Sequence, residues 1–275
     1  MIARVPASSA NLGPGFDTLG LALTLHAEVG AGDPPDGARA ADEHHPATVA
    51  FRRLGGEGPV WVRSPIPVGR GMGFSGAVRV GGLVAAHAQR HGGDAAALEA
   101  ALPALLAVAA ELEGHADNVA ASLYGGVVAT AGGRAVQVPL SFDPAMVMWV
   151  PAFATSTDES RSSLPAQVSM ADAVFNVGHV ALLVAALAAG DVAALRTATD
   201  DRLHQARRLA AAPPSQAALE AALSAGAWAA WLSGSGPTIA VMCATDEAER
   251  IAAALPADGH TKLLRIDHAG AVIEG

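Results

Sequence analysis

The sequence predicts an α+β protein. Short segments with strand character (Ile2 to Pro6, Leu19 to Leu25, Val60 to Val62, Ala145 to Val150) are interleaved with longer Ala/Leu-rich segments of helical spacing. With 275 residues and 51% hydrophobic content, the chain can bury one large core or two intimate lobes. A strand, a glycine-rich loop and an apolar helix follow one another from Val60 to Ala86, and the rest of the chain is organised around that stretch.

The net charge is -9, from 17 Lys+Arg against 26 Asp+Glu, which argues against the basic face that nucleic-acid binding needs. Lys262 is the only lysine. The cations are therefore nearly all arginine, the residue suited to bidentate recognition of carboxylate or phosphate. Cys243 is the only cysteine, so no intramolecular disulfide forms and a cytoplasmic, reducing compartment is expected. The N-terminus lacks a signal-peptide core. No apolar run of ~18 residues is free of Pro, Gly and charge, so no membrane span is expected.

Taken in order, Ile2 to Pro6 reads as a first strand, followed by a turn-rich stretch to Gly20 and the alternating Leu19, Leu21, Leu23 and Leu25 of a second strand. Asn11 and Asp17 in that turn read either as Asx-turn formers or as polar groups at a pocket rim. Residues 30 to 46 are Gly/Pro/Asp-rich and predict a surface loop, in which His44 and His45 read as solvated rather than metal-bound. In the organising loop Gly69, Gly71 and Gly73 alternate ahead of a helix. Glycines let backbone N–H groups turn toward a ligand, and a helix start adds unpaired N–H groups and a positive dipole end, so the loop reads as a phosphate cradle. A plain structural turn is the competing reading. No Gly-Lys-Ser/Thr follows, and the spacing is not that of a dinucleotide fingerprint.

Asp94 to Glu113 predicts helix, broken or restarted at Pro103. Glu113, His115, Asp117 and Asn118 then crowd around one glycine beside an apolar helix; a cap by Asp117 or His115 would explain one of the four. Ala145 to Val150 predicts a buried strand, and a polar loop with Thr157 and Arg161 follows. Ser169 to Ala188 predicts a long buried helix with Asn176 and His179 as core polar groups, Asp191 to Arg208 further helix, and Pro213-Pro214 another helix start. Trp231 to Met242 reads as two strands around a Gly-Ser-Gly hairpin turn, and residues 245 to 275 as a closing helix and strand.

Several of these stretches match one family in order. The loop from Pro67 to Ala77 resembles the P-x-x-x-G-L-G-S-S-A-A phosphate loop of the GHMP small-molecule kinases, with Met72 for Leu, Phe74 for the first Ser and Gly76 for the first Ala. P-A-S-S-A-N-L-G-x-G-F-D at residues 6–17, E-G-H-x-D-N-V-A at 113–120, the Thr157–Arg161–Leu164–Pro165 spacing, D-x-L-H-Q at 201–205 and L-S-G-S-G-P-T at 232–238 resemble the homoserine-kinase branch of that family. The resemblance implies the two-lobe GHMP kinase fold, a ribosomal-protein-S5-like lobe over residues 1–140 and a ferredoxin-like lobe over 141–275, with the active site between them. It implies ATP and L-homoserine as substrates, Mg²⁺ as cofactor and phosphorylation of the homoserine hydroxyl. Neither nucleic acid nor membrane is an expected partner, and a homodimer is left open.

By the same resemblance, Pro67, Gly69, Arg70, Gly71, Met72, Gly73, Phe74, Ser75, Gly76 and Ala77 hold the ATP phosphates, and Glu113 and Ser75 the metal, with Glu111 in reserve. Asn118 orients the attacking hydroxyl; an amide cannot act as a base, and phosphoryl transfer asks mainly for positioning and charge. Asn11, Asp17, His115, Asp117, Thr157, Arg161 and Arg208 bind the amino acid: the two aspartates hold the ammonium and the two arginines the carboxylate. A GHMP kinase for another alcohol, or a catalytically impaired binder on the same fold, is the alternative; mevalonate, lacking an ammonium, fits the two-Asp set poorly.

Overall fold

Two antiparallel sheets carry the molecule, and the candidate site lies where their connecting loops meet. The structure is a computed structural model. It describes residues 1–155 and 157–275, and only the backbone of residues 157–159.

The first sheet contains β1 (Ile2–Ala10), β2 (Leu19–Ala31), β3 (Arg39–Ala41), β4 (Val60–Arg63), β5 (Val127–Ala131), β6 (Arg134–Val138) and β11 (Val272–Glu274). Its order is β11-β1-β2-β4-β3, with β5 also on β2 and β6 on β5. Strand β2 serves two neighbours on one edge: Leu19–Leu21 pair with β5 and Glu28–Ala31 with β4. The second sheet has the order β10-β7-β9-β8, formed by β7 (Ala145–Pro151), β8 (Ala229–Leu232), β9 (Ile239–Cys243) and β10 (Gly259–Arg265). The Trp231 to Met242 hairpin predicted from sequence is β8–β9.

Helices α1 (Pro46–Arg53), α2 (Phe74–His91), α3 (Ala95–Glu113) and α4 (Asp117–Tyr124) belong to the first half. Helices α5 (Thr157–Ser162), α6 (Met170–Ala189), α7 (Leu195–Ala198), α8 (Gln205–Ala210), α9 (Pro213–Ser224) and α10 (Ala248–Ala253) belong to the second. Strand β7 is buried on both faces, which is why it reads as an unbroken apolar run. Met146, Met148 and Val150 enter the main core; Ala145, Val147 and Trp149 enter a second one with Ala218 and Ile251.

Five expectations need correction. Helix α6, expected to be buried, buries only Asn176, Leu183, Ala186 and Leu187 and leaves Met170, Val174 and Val177 exposed. Helix α3 runs unbroken through Pro103. The proline is exposed, so the carbonyl it leaves without a partner faces water. Asp191 to Arg208 is not one helix: α7 and α8 are separated by a turn in which Asp201 accepts from the amides of Leu203, His204 and Gln205. The 30–46 loop contains strand β3. The end of the chain holds two strands, and β11 crosses back to pair with β1. Helices α3 and α6 are long and apolar enough to cross a membrane by composition. Here Leu105, Leu106 and Ala109 of the one, and Leu183, Ala186 and Leu187 of the other, pack into the core.

Candidate active site

The glycine-rich loop folds as the junction between the two sheets. Gly69, Gly71 and Gly73 have φ of 67°, 70° and 70°, a left-handed conformation that glycine adopts at no steric cost. At Gly71 a Cβ would stand 2.1 Å from the carbonyl oxygen of Ser233, so the 233–236 turn of the second lobe closes directly on the loop. The Ser233 hydroxyl donates to Gly71 O at 2.5 Å and lies 2.8 Å from the buried Ser9 hydroxyl, which accepts from Trp231 Nε1. Helix α2 starts at Phe74, and its first N–H groups, without helical partners, face the loop.

The loop residues serve different ends. A cavity of about 110 Å³ is lined by Gly71, Gly73, Ser75, Glu113, His115 and Asn118 among others. Pro67 and Gly69 lie on its wall. The Met72 side chain is fully buried in the core, and its carbonyl accepts from Ser8 N. The sequence resemblance assigns Arg70 to the phosphates; its guanidinium instead donates to the carbonyls of Val68, Pro151 and Ala152 and fastens the loop to the end of β7. Gly76 and Ala77 are buried, with Gly76 close against Asn118 and Val119 of α4. Phe74 stands edge-on to His45 and separates the small cavity from one of about 470 Å³ lined by Arg39, His45, Val62, Ile66 and Val68. His45 itself caps α1.

Ser75 Oγ lies 3.1 Å from Glu113 Oε2. The sequence reading missed Arg79, one helical turn beyond Ser75, whose Nη1 contacts both the Ser75 hydroxyl and the Glu113 carboxylate. Glu111 points away and pairs with Arg53 at 3.2 Å on the surface.

The amino-acid candidates converge beside this cavity. Helix α3 stops at Gly114 (φ 85°), and the turn delivers His115, Asp117 and Asn118 to the cleft. Gly20 of β2 permits the approach, since a Cβ there would meet the Asp117 carbonyl at 2.2 Å. The Asp117 carboxylate is 1% exposed and its pKa is pushed up to about 6. Burial is the main cause and the Asp17 charge adds to it; His115, the Asn118 amide and Arg161 pull the other way. His115 Nε2 is 4.0 Å from Asp117 Oδ1, and His115 Nδ1 is 3.1 Å from the Glu113 carbonyl. Asn118 Oδ1 accepts from Ser8 Oγ at 3.0 Å, which leaves the amide nitrogen as its donor toward the cavity.

Asp17 and Arg161 are paired through two 2.8 Å hydrogen bonds. Arg208 is buried, and it donates to His204 Nδ1 and the Gly234 carbonyl. Burial first, and then the Arg161 charge, hold its pKa below the usual arginine range. Both guanidinium groups lie over the Phe16 ring, at 5.4 and 5.2 Å from its centre, and Phe16 also stacks on His204. Phe16 was not singled out from sequence, although it sits beside Asp17. Asn11 departs from expectation. Its Oδ1 accepts from Asp17 N and its Nδ2 donates to Gly234 O, so its amide braces the turn that presents Asp17. The Thr157 side chain lies outside the described residues. Asn176 is a core polar group as expected, bound to Pro14 O, Asp201 and the Arg202 amide.

The arrangement can hold a group bearing both signs of charge against Asp117, Asp17, Arg161 and Arg208, next to an anion cradle. The chain is also similar to known proteins over most of its length. The GHMP kinases N terminal domain matches residues 40–126, and the GHMP kinases C terminal domain matches residues 183–261. A homoserine kinase of Gloeobacter violaceus is 40% identical over 279 aligned positions, covering 93% of this chain and 91% of its own. One of Thermus thermophilus is 40% identical over 282, covering 95% and 94%. The crystal structure of homoserine kinase from Cytophaga hutchinsonii superposes with a TM-score of 0.84 at 25% identity, covering 98% of this chain and 96% of that one.

Proposed function

The chain belongs to the GHMP kinase family, and from that premise we infer that it transfers the terminal phosphoryl group of ATP to the side-chain hydroxyl of L-homoserine. The product is O-phospho-L-homoserine, an intermediate of threonine biosynthesis. The observation that carries the substrate is Asp117: a buried carboxylate with its pKa raised to about 6 is a site short of a cation, and a substrate ammonium supplies one.

The zwitterion enters between Asp17 and Arg161. Its ammonium replaces Arg161 on Asp17 and reaches Asp117; its carboxylate replaces Asp17 on Arg161 and reaches Arg208. The pairing of Asp17 with Arg161 is thereby exchanged for two pairings of opposite sense. Asn118, held by Ser8, orients the hydroxyl toward the glycine-rich loop. The loop amides and the start of α2 receive the phosphates, and the 470 Å³ cavity beyond Phe74 receives the base of ATP. The hard oxygens of Ser75 and Glu113, 3.1 Å apart, suit Mg²⁺. When bound, the metal neutralises charge on the transferring phosphoryl group. A cytoplasmic location is part of the same proposal, consistent with the single free cysteine.

ADP release by the purified protein with ATP and Mg²⁺ tests the assignment. Release that rises from a low basal rate when L-homoserine is added is the expected result. Binding of homoserine with no turnover at any ATP concentration would leave a binder on a kinase fold.

A further inference from the structure

Arg79 stands near the start of α2 against two residues of the phosphate site. Its guanidinium lies on the Ser75 hydroxyl and the Glu113 carboxylate, the two oxygens that would hold a metal. The side chains of Arg79 and Glu113 are 21% and 10% exposed, so the pair is largely withdrawn from water. A guanidinium keeps its charge at every pH an enzyme meets. Among the described residues no cluster of three or more His, Cys, Asp or Glu offers a metal an alternative place. A divalent cation and Arg79 therefore compete for Glu113, because two cations on one carboxylate repel each other in a site of low dielectric.

Arg79 is also within electrostatic reach of both cavities. Its partners Ser75 and Glu113 line the small one under the glycine-rich loop. His45, on the wall of the larger one, feels its charge: burial lowers the His45 pKa, the Asp42 charge opposes that, and the Arg79 charge adds a smaller lowering. A guanidinium that loses Glu113 here needs another anion. The nearest candidate is the phosphate chain of a nucleotide seated over the start of α2, for which a planar fork of donors is well shaped.

We propose that Arg79 is the resident cation of the phosphate site: it holds Glu113 while the site is empty and moves onto the nucleotide phosphates when a divalent cation claims that carboxylate. The ligand in this proposal rests on the kinase reading. Two consequences separate it from a purely structural ion pair. The protein binds a nucleotide without metal, through Arg79. Metal alone binds weakly, because Arg79 must be displaced.

Calorimetric titration with ADP in excess EDTA, and titration with Mn²⁺ alone followed by the electron paramagnetic resonance of the free ion, read these two quantities without turnover. In Arg79→Met the metal-free ADP affinity falls at least tenfold and Mn²⁺ binds several-fold more tightly; Arg79→Lys keeps most of the ADP affinity. Equal metal-free ADP affinity in the wild type and Arg79→Met, or Mn²⁺ binding no tighter in that variant, overturns the proposal. Should Arg79→Met not fold, Glu113→Gln gives the converse test. Freeing Arg79 from its carboxylate strengthens metal-free ADP binding, and an unchanged or weaker affinity overturns the proposal. None of these titrations contains homoserine, so absence of homoserine-dependent ADP release would count against the kinase reading and not against Arg79.

Discussion

At Asp117 the fold holds a carboxyl group against its own preference. The unfolded chain would ionise it near 3.8, whereas burial moves it to about 6 in the folded protein. Between those values the folded state binds more protons than the unfolded state, so this group's contribution to stability falls as pH rises through that window. Above about pH 6 the ionised, buried carboxylate costs on the order of 1–3 kcal/mol. Asp117→Asn keeps an acceptor for the Asn118 amide and removes the charge. The variant is expected to melt a few degrees higher at pH 8, while kcat/KM for homoserine falls more than tenfold; a variant that melts lower would show that the charge is already compensated. Substrate ammonium needs the ionised form, so kcat/KM for homoserine in the wild type is expected to fall as pH drops through about 6. Arg161→Ala is expected to raise KM for homoserine more than tenfold, since a bidentate charge-assisted contact is worth roughly 1.5–3 kcal/mol. An unchanged KM would remove Arg161 from the carboxylate site.

Among the elements, the glycine-rich loop and the turn that closes on it make one unit. Gly71 combines a φ of 70° with a carbonyl 2.1 Å from where a Cβ would stand. Gly71→Ala is therefore expected to part the loop from the Ser233 turn, lowering both thermal stability and ATP affinity; a variant with wild-type melting and ATP KM would mean that the two lobes do not need this contact. Phe74→Ser is expected to keep activity, because Ser75 and not residue 74 lies on Glu113. At this scale the sequence was informative where a local signal is also a tertiary one. The alternating glycines and the Pro213-Pro214 helix start both appear where the sequence places them. It misled where solvent or a distant partner decides. Exposure lets α3 pass through Pro103, and Asp201 organises the turn ahead of α8 by collecting three amides. The return of β11 to β1 joins opposite ends of the chain and leaves no local mark.

Over the whole molecule, the two sheets bring together residues from four distant stretches: Asp17, Asp117, Arg161 and Arg208. Their identities were legible from motifs, but their mutual arrangement was not. Asp17 and Arg161 are 144 positions apart in sequence and neutralise each other through two hydrogen bonds. Asn11 turned from a presumed contact into a brace, because its two amide ends are satisfied by Asp17 N and Gly234 O. Arg79 could have been found from spacing alone, as a cation one helical turn after Ser75 on the same face.

The account stands on a site that requires both charges of an amino acid beside the phosphate cradle. Steady-state phosphorylation of L-homoserine against γ-hydroxybutyrate, which lacks the ammonium, and aminopropanol, which lacks the carboxylate, measures that requirement directly. Loss of either charged contact is expected to lower kcat/KM by about 10–100-fold or more. Turnover of either analogue at a rate close to that of homoserine would contradict the account.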